Sequence, residues 1–369
     1  MYFARLLVSS HVVYHEAEHM TRLFNGILLR LDEALFGTST SPQHKFLAYA
    51  VGACFVLLMA GCGGSGKKGA VKGRSQGAPY ELLVVADKEW LKTPAGQALT
   101  DVVEGPIEGL PQYEPQFRCT KINRTGFNST FKVYRNIVIA EVSRKYAEAE
   151  MRIARDEYCR PQLIVYLTAP DDGAFAEMMQ TRQEQLLDLF NEQELSRERA
   201  VLQKKYSGVV KKQAERQFGV RFLAPQDIDE VKQGRDFFWA SAAQQDFRLN
   251  VCMYRLPLRD LSLDEFVALR DSVMRVNIPG GREGQWMETD SRTVSFRQRP
   301  TADGKGVVTV VRGLWDMRGD AMGGPFVAYL LTDEKAGCLL VAEGFAFAPN
   351  EKKRPLIREL EAALQSVSF

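Results

Sequence analysis

The apolar pattern of this chain is densest at residues 46–60, Phe-Leu-Ala-Tyr-Ala-Val-Gly-Ala-Cys-Phe-Val-Leu-Leu-Met-Ala, a run without charge that follows Lys45 and is closed by Gly61 and Cys62. A membrane-crossing helix needs ~20 apolar residues, whereas this run is shorter and ends in small side chains, so it reads as an export signal that is cleaved. Immediately after it the apolar pattern stops. Residues 63–79 are dominated by Gly, Ser, Lys and Arg with almost nothing to bury, which predicts a flexible tether.

Downstream, strand and helix periods return. Short apolar or alternating runs predict strands at 80–85, 136–142, 163–167, 249–256, 292–299, 307–311, 326–331 and 338–347. Thr93-Pro94 opens a helix reaching Val103, and the charged piece at 146–154 also reads as helical. Between Gly173 and Phe218 there is no proline and one glycine, Gly208, amid abundant Glu, Gln, Lys, Arg and Leu. That composition predicts two helices or one long bent one, with Phe175, Met178, Met179, Leu186, Leu189 and Phe190 on the packed face. A partner-binding coiled coil is the alternative, weakened by the lack of sustained heptads. Ser262 and Glu265 form a capping box that opens a helix sharing Leu263, Phe266, Leu269 and Val273 on one face. A last helix over 355–367 would bury Leu356, Leu360, Leu364 and Val367.

Strands followed by helices, in two batches, indicate an α+β protein: mixed or antiparallel sheets with packed helices and a long charged helical segment in the middle. Residues 163–170 and 339–349 share a strand-then-proline pattern leading to a helix, a hint of two related halves that competes with chance. The organisation expected is a pre-sequence and signal at 1–61, a tether at 62–79, an N-terminal α+β half at 80–218 and a C-terminal one at 219–369. Forty-odd residues ahead of an export signal are unusual, so the initiator could lie near Lys45 rather than at the start of 1–44.

Charge narrows the function classes. The chain carries a net +2, and residues 1–61 hold four basic and four acidic side chains, so the part from Cys62 onward keeps that value. Near-neutrality argues against nucleic acid, which wants a concentrated basic face. Only the tether is biased, through Lys67, Lys68, Lys72 and Arg74, either as a solvated linker or as a weak attraction to anionic lipid headgroups. All histidines, His11, His15, His19 and His44, precede Cys62. The mature chain is therefore without Ser-His-Asp or Cys-His catalysis and without histidine-ligated metal, and neither cofactor nor metal is expected. His15-Glu-Ala-Glu-His19 matches the H-E-x-x-H of zinc proteases but sits in the discarded segment, and the glycines of 61–66 before Lys67 fall short of a phosphate loop for want of a hydroxyl and a preceding strand. Of six cysteines, Cys54 lies in the signal and Cys62 at the cleavage point. Cys119, Cys159, Cys252 and Cys338 have wide spacings that match no metal motif, and buried free thiols are the first expectation.

Leu58-Met-Ala-Gly-Cys62 resembles a bacterial lipobox, with Met59 where leucine is commoner; the resemblance implies cleavage before Cys62 and acylation of its thiol. Three further stretches carry a second resemblance: Arg270-Asp-Ser-Val-Met-Arg-Val-Asn-Ile-Pro-Gly280, Arg312-Gly-Leu-Trp-Asp-Met-Arg-Gly-Asp-Ala-Met-Gly-Gly-Pro-Phe326, and Glu343-Gly-Phe-Ala-Phe-Ala-Pro-Asn-Glu-Lys-Lys-Arg354. With Asn136-Ile-Val and Asp236-Phe-Phe-Trp239 they resemble the domain of unknown function 4837, a family of lipoproteins from Gram-negative gut anaerobes, over roughly 79–369. It implies export and anchoring and brings no activity. Arg312, Trp315, Asp316, Gly323 and Gly324, together with Gly280, Trp286 and Arg354, are the candidate binding surface, because Arg and Trp are enriched at hot spots and glycine admits close approach. The opposing reading is that these glycines shape turns and these tryptophans fill core. The function expected is a non-enzymatic binding or assembly module, lipid-anchored in the cell envelope and facing the periplasm, with an envelope protein or glycan as partner. The alternative is a carboxylate-dependent hydrolase acting on envelope glycans.

Overall fold

A computed structural model describes residues 72–243, 248–304 and 306–369. The export signal, the zinc-protease-like motif, the phosphate-loop-like glycines and Cys62 lie outside the described residues. The first backbone pairing falls within the expected tether: Arg74 bridges to Arg160 and Gln76 to Tyr134. Gln76 N donates to Val133 O at 2.7 Å and Arg160 N to Gly73 O at 2.9 Å, so residues 73–76 are tied down rather than free.

The first sheet is built from β1 (Glu81–Val85), β2 (Arg118–Ile122), β3 (Asn136–Val142), β4 (Glu150–Arg155) and β5 (Leu163–Ala169). Its order is β2-β1-β3-β5-β4, with the first four parallel and β4 antiparallel at the edge. Helices α1 (Pro94–Glu104) and α2 (Asp172–Leu202) cover one face, where Leu82, Val84, Val138, Val165 and Leu167 meet Leu99, Val103, Phe175, Met179 and Phe190. Loops cover the other face, over Leu83, Val85, Ile137, Ile139 and Ile164. Both helices begin as their sequences dictate. Thr93 accepts from Gly96 N with proline in the first turn, and Asp171 accepts from Ala174 N at 2.9 Å.

After α3 (Gly208–Phe218) come β6 (Glu230–Gly234), β7 (Phe237–Ala243), β8 (Arg248–Pro257), α4 (Leu263–Asn277), β9 (Trp286–Pro300), β10 (Val307–Arg318), β11 (Gly323–Asp333), β12 (Cys338–Phe347) and α5 (Lys353–Leu364). These strands form a seven-stranded antiparallel sheet of order β6-β7-β8-β12-β11-β10-β9. Alternate side chains divide its two faces. Val310, Val327, Tyr329 and Leu340 pack under α3 and α5, while Val311, Trp315, Phe326, Val341 and Phe345 pack under α4. The fold is thus a mixture of helices with one mixed and one antiparallel sheet. The two sheets differ in strand direction and in order, so the hint of duplication is overturned: the shared strand-then-proline pattern marks strand ends in unlike topologies.

Two further expectations need correction. Residues 146–154 supply a turn and then strand β4, not a helix, because the edge of the first sheet pairs Met151, Ile153 and Arg155 with β5 and tertiary pairing overrides a charged, helix-favouring composition. On α4 the fully buried row is Phe266, Arg270 and Met274, with Leu269 and Val273 only half-buried. The capping box of Ser262 and Glu265 is present as read.

Candidate functional site

The residues singled out by composition do not assemble into one surface. Within β10, Arg312 and Trp315 project to opposite faces of the second sheet, because positions three apart on a strand alternate sides. Trp315 is 2% exposed and meets Phe345 edge-on at 5.7 Å in the core beneath α4. Arg312 points under α5, where it ion-pairs with the fully buried Glu361. Gly323 and Gly324 pair with Asp316 and Trp315 across the β10–β11 ladder, and a side chain at Gly324 would put its Cβ 2.1 Å from Ala346 O. This glycine therefore serves strand packing, which excludes a ligand at its backbone. Arg354 donates to Pro115 O at 2.7 Å and is occupied joining the two halves. Gly280 closes the turn before β9, where its N donates to Gln285 O at 3.0 Å and a Cβ would meet Gln285 Cβ at 2.3 Å. Trp286 is half-buried, with the Arg275 and Arg318 guanidinium carbons 4.1 and 4.7 Å from its ring centroid, and Asp316 is exposed. Arg312 and Trp315 are thereby corrected from surface to interior residues.

Two polar networks hold buried charge against the second sheet. Under α4, Arg270 donates to Glu343 at 2.6 Å through Nη2 and to Thr289 at 2.7 Å, while Tyr254 donates to Glu343 at 3.0 Å. The Arg270 guanidinium also lies 4.0 Å over the Phe326 ring. Under α5, Glu361 accepts from Arg358 at 3.0 Å and Tyr329 at 3.3 Å as well as from Arg312. Burial alone would raise the Glu361 carboxyl, but the two guanidiniums outweigh it and bring the group down to about 2. Both arrangements are closed interior clusters, and the Glu361 carboxylate, held ionised by its arginines, is unsuited to act as a general acid.

Among the described residues a cleft lies elsewhere, between α2 and the end of the β9–β10 hairpin. Along α2, Glu184, Asp188, Glu192 and Ser196 recur every four residues and so share one face. Opposite them, Arg297 and Arg299 stand two apart on β9 and therefore also share a face. Arg297 bonds Glu184 at 2.9 Å and Asp188 at 3.0 Å, and Arg299 bonds Asp188 at 2.5 Å. To one side of this bridge a hollow of ≈ 270 Å³ is lined by Thr301, Tyr329, Leu364 and Gln365; to the other a more open one of ≈ 620 Å³ is lined by Arg155, Gln185, Gln193 and Ser196. Asp188 and Glu192 border both. Gln365 donates to Glu192 at 3.2 Å, yet its buried Oε1 has no partner. Composition could not mark this site, because Glu, Asp and Arg are common; the four-residue spacing on α2 was its one legible sign.

Around the cleft the two halves are fastened. Glu114, from the loop after α1, accepts from Lys353 N at 2.6 Å and Arg354 N at 3.0 Å, capping α5 from the other half. Arg358 reaches Gln116 at 2.9 Å. Among the described residues no group of His, Cys, Asp and Glu is arranged to hold a metal ion, and no helix is long and apolar enough to cross a membrane. The four cysteines among the described residues are free thiols, with Cys159, Cys252 and Cys338 buried and Cys119 half-buried.

Residues 207–366 match the domain of unknown function DUF4837, and residues 75–205 match a second domain of unknown function, DUF8532. The resemblance read from 270–280, 312–326 and 343–354 thus holds for the C-terminal part. Its expected extent from residue 79 is shortened, since the first sheet and α2 lie in the region that matches the second domain. A comparison with curated proteins finds no match. The cleft runs along the seam, with its α2 wall in one matched region and its β9 and β10 wall in the other.

Proposed function

We propose that this is a lipid-anchored protein of the bacterial cell envelope, facing the periplasm, that works as a binding or assembly module through the cleft between α2 and the β9–β10 hairpin. The observation that carries the binding role is the cleft's position and lining. Ligand sites favour domain seams, and this seam presents Arg155, Arg297, Arg299, Glu184, Asp188 and Glu192 beside Gln, Ser, Thr and Tyr side chains. Such a mixture of donors and acceptors of both signs suits a polar envelope partner, a glycan or the hydrophilic surface of a protein. Anchoring is supported by the uncharged run ending at Cys62 and the glycine-rich stretch after it. From Cys62 to Gly73, the first residue with a tied backbone, the chain advances eleven residues, enough to reach ~40 Å when extended.

A glycan hydrolase would need an acid and a base ~5 to 9.5 Å apart with one carboxyl protonated. The three carboxylates with no exposure, Glu194, Glu343 and Glu361, are each bound by arginine, and in the cleft Asp188 carries two arginines. These pairs favour the binding reading.

The test places a photo-crosslinking residue at Ser196 and, separately, at Thr301 on the opposing walls, in cells. Both positions should capture the same partner, and Asp188→Arg should abolish capture while leaving the thermal transition intact. Capture of unrelated neighbours, or capture unaffected by Asp188→Arg, would contradict a role for the cleft.

A further inference from the structure

The loops over the outer face of the first sheet form a cationic, aromatic platform, and the chain leading from Cys62 enters beside it. Phe127 and Tyr158 meet edge-on at 6.0 Å, and the Lys132 ammonium sits 4.9 Å from the Tyr158 centroid and 5.7 Å from that of Phe127. In the loop that carries Lys132, the Phe131 and Tyr134 ring centroids lie 6.1 Å apart. These rings are half-buried, with an edge left to solvent. The platform is held rigidly from below: buried Gln162 donates at 2.7 Å to both Lys132 O and Tyr134 O. Arg152, exposed at the sheet edge, stacks 3.9 Å over Tyr166. Among the described residues no carboxylate forms an ion pair with Lys132 or Arg152.

The chain that supplies these loops is basic as well. Residues 118–160 hold ten basic and five acidic side chains, a net +5, of which Arg155 faces the cleft and Lys121 bonds Glu104 on the helix-covered side, and residues 62–79 add four positive charges and no negative one. The rest of the chain after Cys62 must therefore carry −7 to reach the overall +2. The incoming segment joins the body within this region, since Arg74 pairs with Arg160 and Gln76 with Tyr134.

We infer that this face, centred on Lys132, Phe127, Phe131 and Tyr158, rests against the anionic headgroups of the membrane that holds the lipid anchor. The inference rests on the anchored reading above and adds an orientation to it. Its chemistry is that of interfacial binding: aromatic rings favour the headgroup level and cations are drawn to anionic lipid. The short connection keeps the platform close to the bilayer, so a weak attraction suffices to orient the body. The cleft, which lies on the helix-covered side of the first sheet, would then open away from the lipid.

The test uses an environment-sensitive fluorescent residue at Ser129, beside the platform, and in a second sample at Glu334, in the β11–β12 hairpin. The acylated protein is placed on vesicles of phosphatidylethanolamine and phosphatidylglycerol containing a headgroup quencher. Quenching at Ser129 should exceed that at Glu334 several-fold, and should fall to the Glu334 level with Lys132→Glu and Arg152→Glu or on phosphatidylcholine vesicles. Equal quenching at the two positions, or quenching indifferent to charge reversal, would overturn the orientation. A parallel sample of the chain from residue 62 with Cys62→Ser, held on nickel-chelating lipid by an N-terminal histidine tag, gives the same comparison without acylation. A failed anchor would then show as loss of vesicle flotation in the first sample alone, whereas a wrong orientation shows in both.

Discussion

Glu361 is the group on which the buried charge beneath α5 depends, and Glu361→Gln isolates its contribution. The carboxylate is wholly buried between Arg312 and Arg358, which are 14% and 5% exposed. Removing its charge leaves two guanidiniums in a low-dielectric space without a counter-ion, a change that costs roughly 3–5 kcal/mol. The acid limb gives an independent figure. The carboxyl stands at about 2 in the folded protein against 4.5 ordinarily, a depression that corresponds to roughly 3 kcal/mol of stability. Because the folded value is the lower one, that stability is complete above pH ~4.5 and is lost as pH falls towards 2; at pH 3 about 2 kcal/mol of it is gone. Urea unfolding followed by circular dichroism at neutral pH and at pH 3 measures both effects. The variant should be weaker by several kcal/mol at neutral pH and should lose ~2 kcal/mol less than the parent between the two conditions. A variant within 1 kcal/mol of the parent, with an equal acid slope, would refute the reasoning.

Other substitutions examine the core and the thiols. Trp315→Ala should cost roughly 3–5 kcal/mol in the same unfolding assay, because the indole fills the space beside Phe345. A near-native transition would restore it as a surface residue. Gly324→Ala should lower the thermal midpoint by forcing β11 from β12, given a Cβ only 2.1 Å from Ala346 O; an unchanged midpoint would show that the strands separate without cost. Burial, reinforced by the nearby Glu104 charge, pushes the Cys119 thiol up to about 12, so all four cysteines should react with a thiol reagent slowly until urea is added. Rapid labelling in the native state would contradict the packing around Cys119.

The elements legible in the sequence were those whose signal is local. Thr93-Pro94 and the Ser262–Glu265 box each cap a helix as read, because the capping oxygen and its backbone donor lie within three residues. Strand β4 was not legible, since its pairing with β5 is decided by the edge of a sheet and not by its own composition. Arg270 sits where the helical period calls for an apolar side chain, and only its partners Glu343, Tyr254 and Thr289, which are distant in sequence, make a charge acceptable there. The misreading of Arg312 and Trp315 has a similar origin. A run rich in Arg, Trp and Gly looks like a binding loop until its strand alternation sends one residue under α5 and the other under α4. The cleft depended on the register between α2 and β9, which are more than eighty residues apart, and no local pattern encodes that distance.

The anchored reading is tested most directly by mass spectrometry of the N-terminal peptide of the protein extracted from membranes of its native cells. The account expects a chain that begins at Cys62, heavier by a diacylglyceryl group on its thiol, and a Cys62→Ser variant that is neither cleaved there nor recovered in the detergent phase. A mature chain beginning elsewhere, or an unmodified Cys62, would contradict it.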